Sequence, residues 1–261
     1  FTLGARLAEF GIDEVRPTTG SNQGQVTITA VGAKFTPDSE VRLIDAGGST
    51  LVPETAHFVD SGRIAATFDL TEAVLGAADV QVLDGGRTDV VLASAFTVTD
   101  GEPGRLVTSV TAPERVRVGR TFQILVSYAN EGGADLLAPV MRLQSGGLTD
   151  LSLHSSMADS DLGVDLVGVG SEAPAGILPP GGRNTITVYG VPRAQGPQTF
   201  QLFIGGYPDV PMDWAAIEAV VRPLDVPDEV WDPTFAALQT NIGDSWDDFH
   251  RMVSANATLF P

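Results

Sequence analysis

The chain has 261 residues, 43% of them hydrophobic, with 29 Gly and 17 Pro. Its length suits two domains of about 100–150 residues, and its Gly and Pro content suits many short strands joined by turns. A net charge of −18, from 33 acidic and 15 basic residues, repels phosphate backbones and anionic lipid, which argues against nucleic acid and anionic membrane surfaces as partners.

The acidity itself reads as solubility and self-repulsion between copies, with divalent-cation capture or a salty habitat as the sharper alternative. There is no Cys, which removes disulfides, thiolate metal sites and Cys nucleophiles together. The single lysine, Lys34, stands against fourteen Arg and speaks against a lysine cross-link. No run of about 18 apolar residues is present, so a membrane-spanning helix is not expected. Without an initiating Met or a signal-peptide pattern, the sequence reads as an interior segment of a longer extracellular or cell-surface protein.

In chain order, Phe1-Thr2-Leu3 resembles Phe96-Thr97-Val98 further along, so residues 1–10 are expected to be the end of an upstream module. Ile12–Arg16 is a short strand stopped by Pro17, and Thr18–Gly24 a polar turn. Val26–Val31 alternates β-branched residues, placing Val26 and Ile28 on one face. Further strands are expected at Val41–Leu43, Ala56–Val59, Arg63–Phe68, Ala78–Leu83 and Val90–Val98, separated by Gly-rich turns. That spacing indicates a sandwich rather than βαβ units.

The residues Ile12–Val15, Pro17, Gly20, Gly24, Val26–Ile28, Gly32 and Phe35, with the closing Ala95–Val98, resemble the IPT/TIG domain over about residues 11–99. The resemblance implies a compact immunoglobulin-like sandwich with no catalytic residues. Ala30-Val31 before Gly32 departs from that pattern and reads as a small bulge on this strand.

Asp100–Gly104 is a short polar linker stiffened by Pro103. Beyond it, Leu106–Val110 opens a second module, and Thr121–Tyr128 puts Phe122, Ile124, Val126 and Tyr128 on one face. Ala129–Asp135 follows as a turn. Val140–Leu143, Asn184–Tyr189, Thr199–Ile204 and Ala215–Val221 read as later strands, and Asp150–Gly176 as an extra hairpin or surface loop. Val118-Gly119, Phe122, Val126 and Tyr128-Ala129-Asn130-Glu131-Gly132, with Leu178–Gly182 later, resemble CARDB-type repeats of bacterial envelope and adhesion proteins over about residues 105–222.

The tail, residues 223–261, changes character. Asp232-Pro233 reads as an N-cap followed by Pro at the first helical position, with Phe235, Leu238 and Ile242 on one face and Gly243 as the stop. Asp244 or Ser245 is expected to cap a second helix bearing Trp246, Phe249, Met252 and Val253. This segment is expected to pack on the second sandwich, or to start a further module, through Trp231, Phe235, Trp246 and Phe249.

Few residues carry chemistry. His57, His154 and His250 share no ligand spacing, and no G-x-S-x-G elbow is present. Gly168-Val169-Gly170 lacks the third glycine of a dinucleotide loop, and Asn256-Ala257-Thr258 is the one sequon. Asp159, Asp161 and Asp165 stand at positions 1, 3 and 7 of a Gly-containing loop, the alternation that calcium favours. Gly163 is fifth rather than sixth and Gly170 occupies the twelfth place, so an ordinary acidic turn is the favoured reading and calcium the alternative; no other cofactor is expected. The expectation is therefore an all-β chain of two tandem immunoglobulin-like sandwiches with a short helical tail, acting without catalysis as a spacer, adhesion or assembly module of a bacterial surface or secreted protein. Its partners would be neighbouring modules, copies of itself, other surface proteins or glycans. The alternative is an ancillary glycan-binding or positioning segment of a secreted enzyme.

Overall fold

The structure, a computed structural model, describes residues 9–86, 88–169, 173–174, 176–204, 211–223, 226–245, 248–249 and 252. Phe1–Leu3, Gly170, Asp209, Trp246, His250, Val253 and the sequon lie outside the described residues.

The first module runs through β1 (Gly11–Arg16), β2 (Thr19–Ser21), β3 (Gln25–Ala33), β4 (Glu40–Ile44), β5 (Thr50–Leu51), β6 (Thr55–Asp60), β7 (Arg63–Asp69), β8 (Gly76–Leu83) and β9 (Val90–Thr99). Two sheets form, in the orders β1-β3-β7-β6 and β2-β9-β8-β4-β5. Alternation drives their closure. Val26 and Ile28 from β3, Phe68 from β7, Leu43 from β4, Val80 and Val82 from β8, and Phe96 from β9 are all fully buried in one cluster. Burying such side chains contributes about 1.5–3 kcal/mol each.

The second module runs through β10 (Leu106–Thr111), β11 (Phe122–Asn130), β12 (Leu136–Leu137), β13 (Val140–Ser145), β14 (Thr149–Ser152), β15 (Gly163–Val167), β16 (Ile177–Leu178), β17 (Arg183–Pro192) and β18 (Phe200–Ile204). Its sheets are β10-β11-β17-β14 and β15-β13-β18, with the short pair β12-β16 beside them. Ile124, Val126, Tyr128, Met141, Leu143, Leu151 and Val188 form its core. Among the described residues the fold is thus all-β through residue 204, two immunoglobulin-like sandwiches in tandem, followed by α1 (Trp214–Val221) and α2 (Asp228–Ile242).

Four local expectations are corrected. Thr18–Gly24 is not merely a turn: Thr19–Ser21 pairs in parallel with Thr97–Thr99. The irregularity near Gly32 falls on the partner strand, where the register shifts between Ile12 and Glu14. Gly32 itself is pinned, because a Cβ there would lie 2.0 Å from the Gly11 carbonyl oxygen.

Ala215–Val221 is a helix rather than a last strand, with Asp213 Oδ1 accepting from the Ala216 amide at 3.0 Å. A short apolar run does not by itself separate strand from helix, and here the N-cap decides. Lastly, α2 begins at Asp228 after Pro227, so Pro233 sits inside it rather than at its first position. Gly243, at φ +99°, ends it as expected. Ser245 caps the next turn: its Oγ accepts from the Asp248 amide at 3.1 Å while Asp248 Oδ2 accepts from the Ser245 amide at 3.1 Å. Phe235 meets Trp214 edge-on at 5.7 Å and stacks on Trp231 at 5.4 Å, so part of the expected aromatic seam joins α1 to α2.

Candidate functional site

The period-two burial of β11 carries Ile124, Val126 and Tyr128 inward, and the next inward position is Asn130. It is fully buried. An amide in that place must use all its hydrogen-bonding capacity, two donors and two lone pairs, and it does. Oδ1 accepts from the Arg105 and Gly132 amides, both at 3.0 Å, while Nδ2 donates to the Ala134 carbonyl at 2.8 Å and the Leu178 carbonyl at 2.9 Å. One side chain thereby ties together the linker exit, the turn after β11 and strand β16. Tyr128 beside it donates its hydroxyl to the Val169 carbonyl at 2.7 Å, which employs the Gly168-Val169 segment as a structural contact.

The turn that Asn130 shapes is the point where the second module meets the first. A strand in a two-layer sandwich normally leaves one face to solvent. Yet β3 is buried on both faces, with Thr27 1% exposed opposite Val26 and Ile28. The cover is the 132–135 turn. Gly133 accepts from the Ser21 amide at 2.6 Å, and the Asp135 amide donates to the Gln25 carbonyl at 2.8 Å. The Asp135 carboxylate Oδ2 accepts from Thr27 Oγ1 at 2.6 Å, and that oxygen lies 2.8 Å from Thr67 Oγ1 on β7.

The linker is sewn into the same seam. The Asn22 amide donates to Thr99 at 3.0 Å, Gly133 to Glu102 at 3.1 Å, and Glu131 to Arg105 at 2.8 Å. Glycines permit the approach: a Cβ on Gly133 would lie 2.5 Å from Ser21 Cβ, and one on Gly132 would lie 2.1 Å from the Pro103 carbonyl oxygen. Both are closer than any side chain tolerates.

Asp135 is the electrostatic oddity of the seam. Burial pushes its carboxyl up to about 6, against hydrogen bonds from Thr27 that act the other way. Its Oδ1 is closed to solvent and receives no hydrogen bond among the described residues. Beside it a cavity of about 600 Å³ opens between the modules, lined by Gln25, Glu54 and His57 on one wall and by Pro103, Leu137 and Ile177 on the other.

The residues singled out as calcium ligands do not converge. Asp165 lies on β15 and pairs with Arg142, whose Nη1 donates to both carboxylate oxygens at 2.9 and 2.8 Å. Asp161 bridges Leu151 through both backbone groups, and its Oδ1 accepts from the Leu162 amide at 2.7 Å. Asp159 sits at φ +55° in the loop before it. Among the described residues, no three His, Asp or Glu side chains are grouped to hold a metal ion. His57 lies on β6 of the first module and lines the cavity, while His154 lies in the exposed loop after β14 of the second.

No protein-family model matches this chain, and no curated protein matches it. Solved structures give distant likenesses. The extracellular region of plexin A4 is 13% identical, covering 73% of this chain and 16% of that one, at a TM-score of 0.30. A DUF4785 protein of Legionella pneumophila is 10% identical, covering 73% and 46%, at 0.26. A Bacteroides ovatus protein of a mixed-linkage glucan utilization locus, solved with a mixed-linkage heptasaccharide, is 9% identical, covering 70% and 75%, at 0.28. Likeness of this degree carries no argument about function. Among the described residues, no helix is long and apolar enough to cross a membrane.

Proposed function

We propose that this chain is a rigid, non-catalytic spacer: a locked pair of sandwiches that sets the distance and angle between its flanking neighbours in a modular surface or secreted protein. The seam between the modules supports the reading. Tandem domains move relative to one another unless the interface fixes them. Here the linker, the 132–135 turn and β3 share backbone hydrogen bonds on both sides, with glycines where side chains would force the modules apart. The IPT/TIG-like and CARDB-like residue patterns, and with them a bacterial extracellular setting, belong to this proposal.

The test is a distance measurement across the pair. The chain has no Cys, so Glu72→Cys with Gln195→Cys, both at exposed positions, label one site per module. Paramagnetic or fluorescent labels there give a single narrow distance distribution for a locked pair. A broad distribution at every pH refutes the spacer.

The alternative, ancillary glycan binding, draws on the inter-module cavity with its Gln, Glu and His wall. Calorimetry with soluble oligosaccharides tests it, and the absence of heat at millimolar sugar removes it.

A further inference from the structure

We propose that the seam is an acid-set latch: the sandwiches are locked while Asp135 holds a proton and loosen when it gives the proton up. The inference rests on the spacer reading and adds a condition to it.

Asp135 reaches from the second module onto the outer face of β3, where Thr27 Oγ1 stands between it and Thr67. Thr27 has one hydroxyl hydrogen. With Asp135 protonated on Oδ2, the acid donates to Thr27, which passes its own hydrogen to Thr67. With Asp135 ionised, Thr67 donates to Thr27 and Thr27 to Oδ2. The chain of oxygens is satisfied in either direction. The forms differ at Oδ1, which is buried and unbonded. As the carbonyl oxygen of a neutral acid it tolerates that place. As half of a carboxylate it holds charge without a donor, which is costly away from water.

The neighbours do not neutralise that charge. Strand β3 contributes Gln25 and Thr27, and β7 contributes Thr67 with Asp69 further along. Glu54 and His57 line the cavity beside Asp135, and Glu54 accepts from Gln25 Nε2. On the linker and turn, Arg105 is engaged by Glu131 at 3.2 Å and Glu102 at 3.7 Å. His57 is the histidine lining this cavity, so the test isolates it with a variant of its own.

The sign follows from linkage. A carboxyl raised to about 6 in the docked seam, against 3.8 when released, favours docking fully below the released value. That contribution is lost as pH rises through the docked value. Between about pH 4.5 and pH 7.5 the undocked-to-docked ratio rises by about 30-fold.

The experiment uses the full chain carrying the Glu72→Cys and Gln195→Cys labels, with distance distributions recorded across that pH range. The expected result is a narrow distribution at acid pH that broadens as pH rises toward about 6 and changes little above it. Asp135→Asn, a fixed stand-in for the neutral acid, stays narrow throughout, and His57→Gln keeps the transition. Thr27→Val, which removes the donor to the ionised form, enlarges the loss of docking at neutral pH and does not shift its onset to higher pH, and it serves if Asp135→Asn misfolds by circular dichroism. A narrow distribution at every pH overturns the latch and leaves the spacer standing. So does a transition that persists in Asp135→Asn or vanishes in His57→Gln. Broad distributions at every pH, in Asp135→Asn as well, overturn both.

Discussion

Asn130→Asp tests the seam at its most connected point. The two side chains have nearly the same shape, so no cavity is created and only polarity changes. The two bonds accepted by Oδ1, from Arg105 and Gly132, survive. The two donated by Nδ2, to the Ala134 and Leu178 carbonyls at 2.8 and 2.9 Å, are replaced by an oxygen facing two oxygens. A buried acceptor left without its donor costs about 1–3 kcal/mol, so the two carbonyls together cost about 2–6 kcal/mol, to which charge burial adds at neutral pH.

Protonation returns one donor. The introduced carboxyl therefore has a folded pKa raised above its unfolded value, and its destabilisation is least below about pH 4 and grows as pH rises. Urea denaturation at both ends of that range measures the effect. Far-UV circular dichroism is the suitable probe: Trp214, Trp231 and Trp246 are the only tryptophans, so indole fluorescence follows the C-terminal segment rather than the sandwiches. A loss under about 1 kcal/mol at neutral pH, or an equal loss at both pH values, refutes the assignment of Asn130 as the saturated hub.

Further outcomes are expected at other residues. Gly133→Ala, whose Cβ would meet Ser21 at 2.5 Å, is expected to broaden the inter-module distance while moving the melting transition of either sandwich little. Collapse of the fold instead would place that glycine's role inside the module. Asp45 accepts from the Gly47, Ser49 and Val74 amides at 2.9, 2.8 and 3.1 Å, and these bonds, Val74 first, hold its carboxyl below the usual range against the opposing effect of burial. Asp45→Asn is expected to destabilise the first module by about 1–2 kcal/mol at neutral pH. Because a lowered pKa gives stability that is lost as pH falls through the folded value, the gap between variant and parent closes below about pH 4; a pH-independent gap contradicts the account. Millimolar calcium is expected to leave the melting temperature unchanged, since Asp165 is already held by Arg142; a clear rise would show that the acidic loop closes on the ion.

The strands with long alternating runs were readable from sequence. Ile124, Val126 and Tyr128, or Val80 and Val82, repeat at period two and face inward as that period requires. Thr19–Ser21 has no apolar alternation to read: it pairs with β9 through the parallel ladder and the Thr99 hydroxyl, which donates to the Gly20 carbonyl at 3.1 Å. The Ala215–Val221 run reads as a strand for the opposite reason, being apolar on nearly every side, and it folds as a helix. Asn130 and Asp135 stood in sequence as ordinary turn residues. What makes them the site is long-range: Leu178 lies 48 residues from Asn130, and Thr27 lies 108 residues from Asp135. One trace was available in advance, a strand whose Thr27 and Thr29 alternate with Val26 and Ile28. Buried threonines on that second face call for a cover, and no local pattern says that the neighbouring module supplies it.

The parallel pairing of β2 with β9 bears on tension. Thr19–Ser21 lies near the entry of the first module, and its partners Thr97–Thr99 are the last residues before the linker. Pulling the module by its two ends drags these strands lengthwise past each other, so their hydrogen bonds are loaded together rather than peeled one after another. A tethered protein built from such units would hold its length under flow or drag, and single-molecule stretching would record one high-force rupture for this module rather than a gradual yielding.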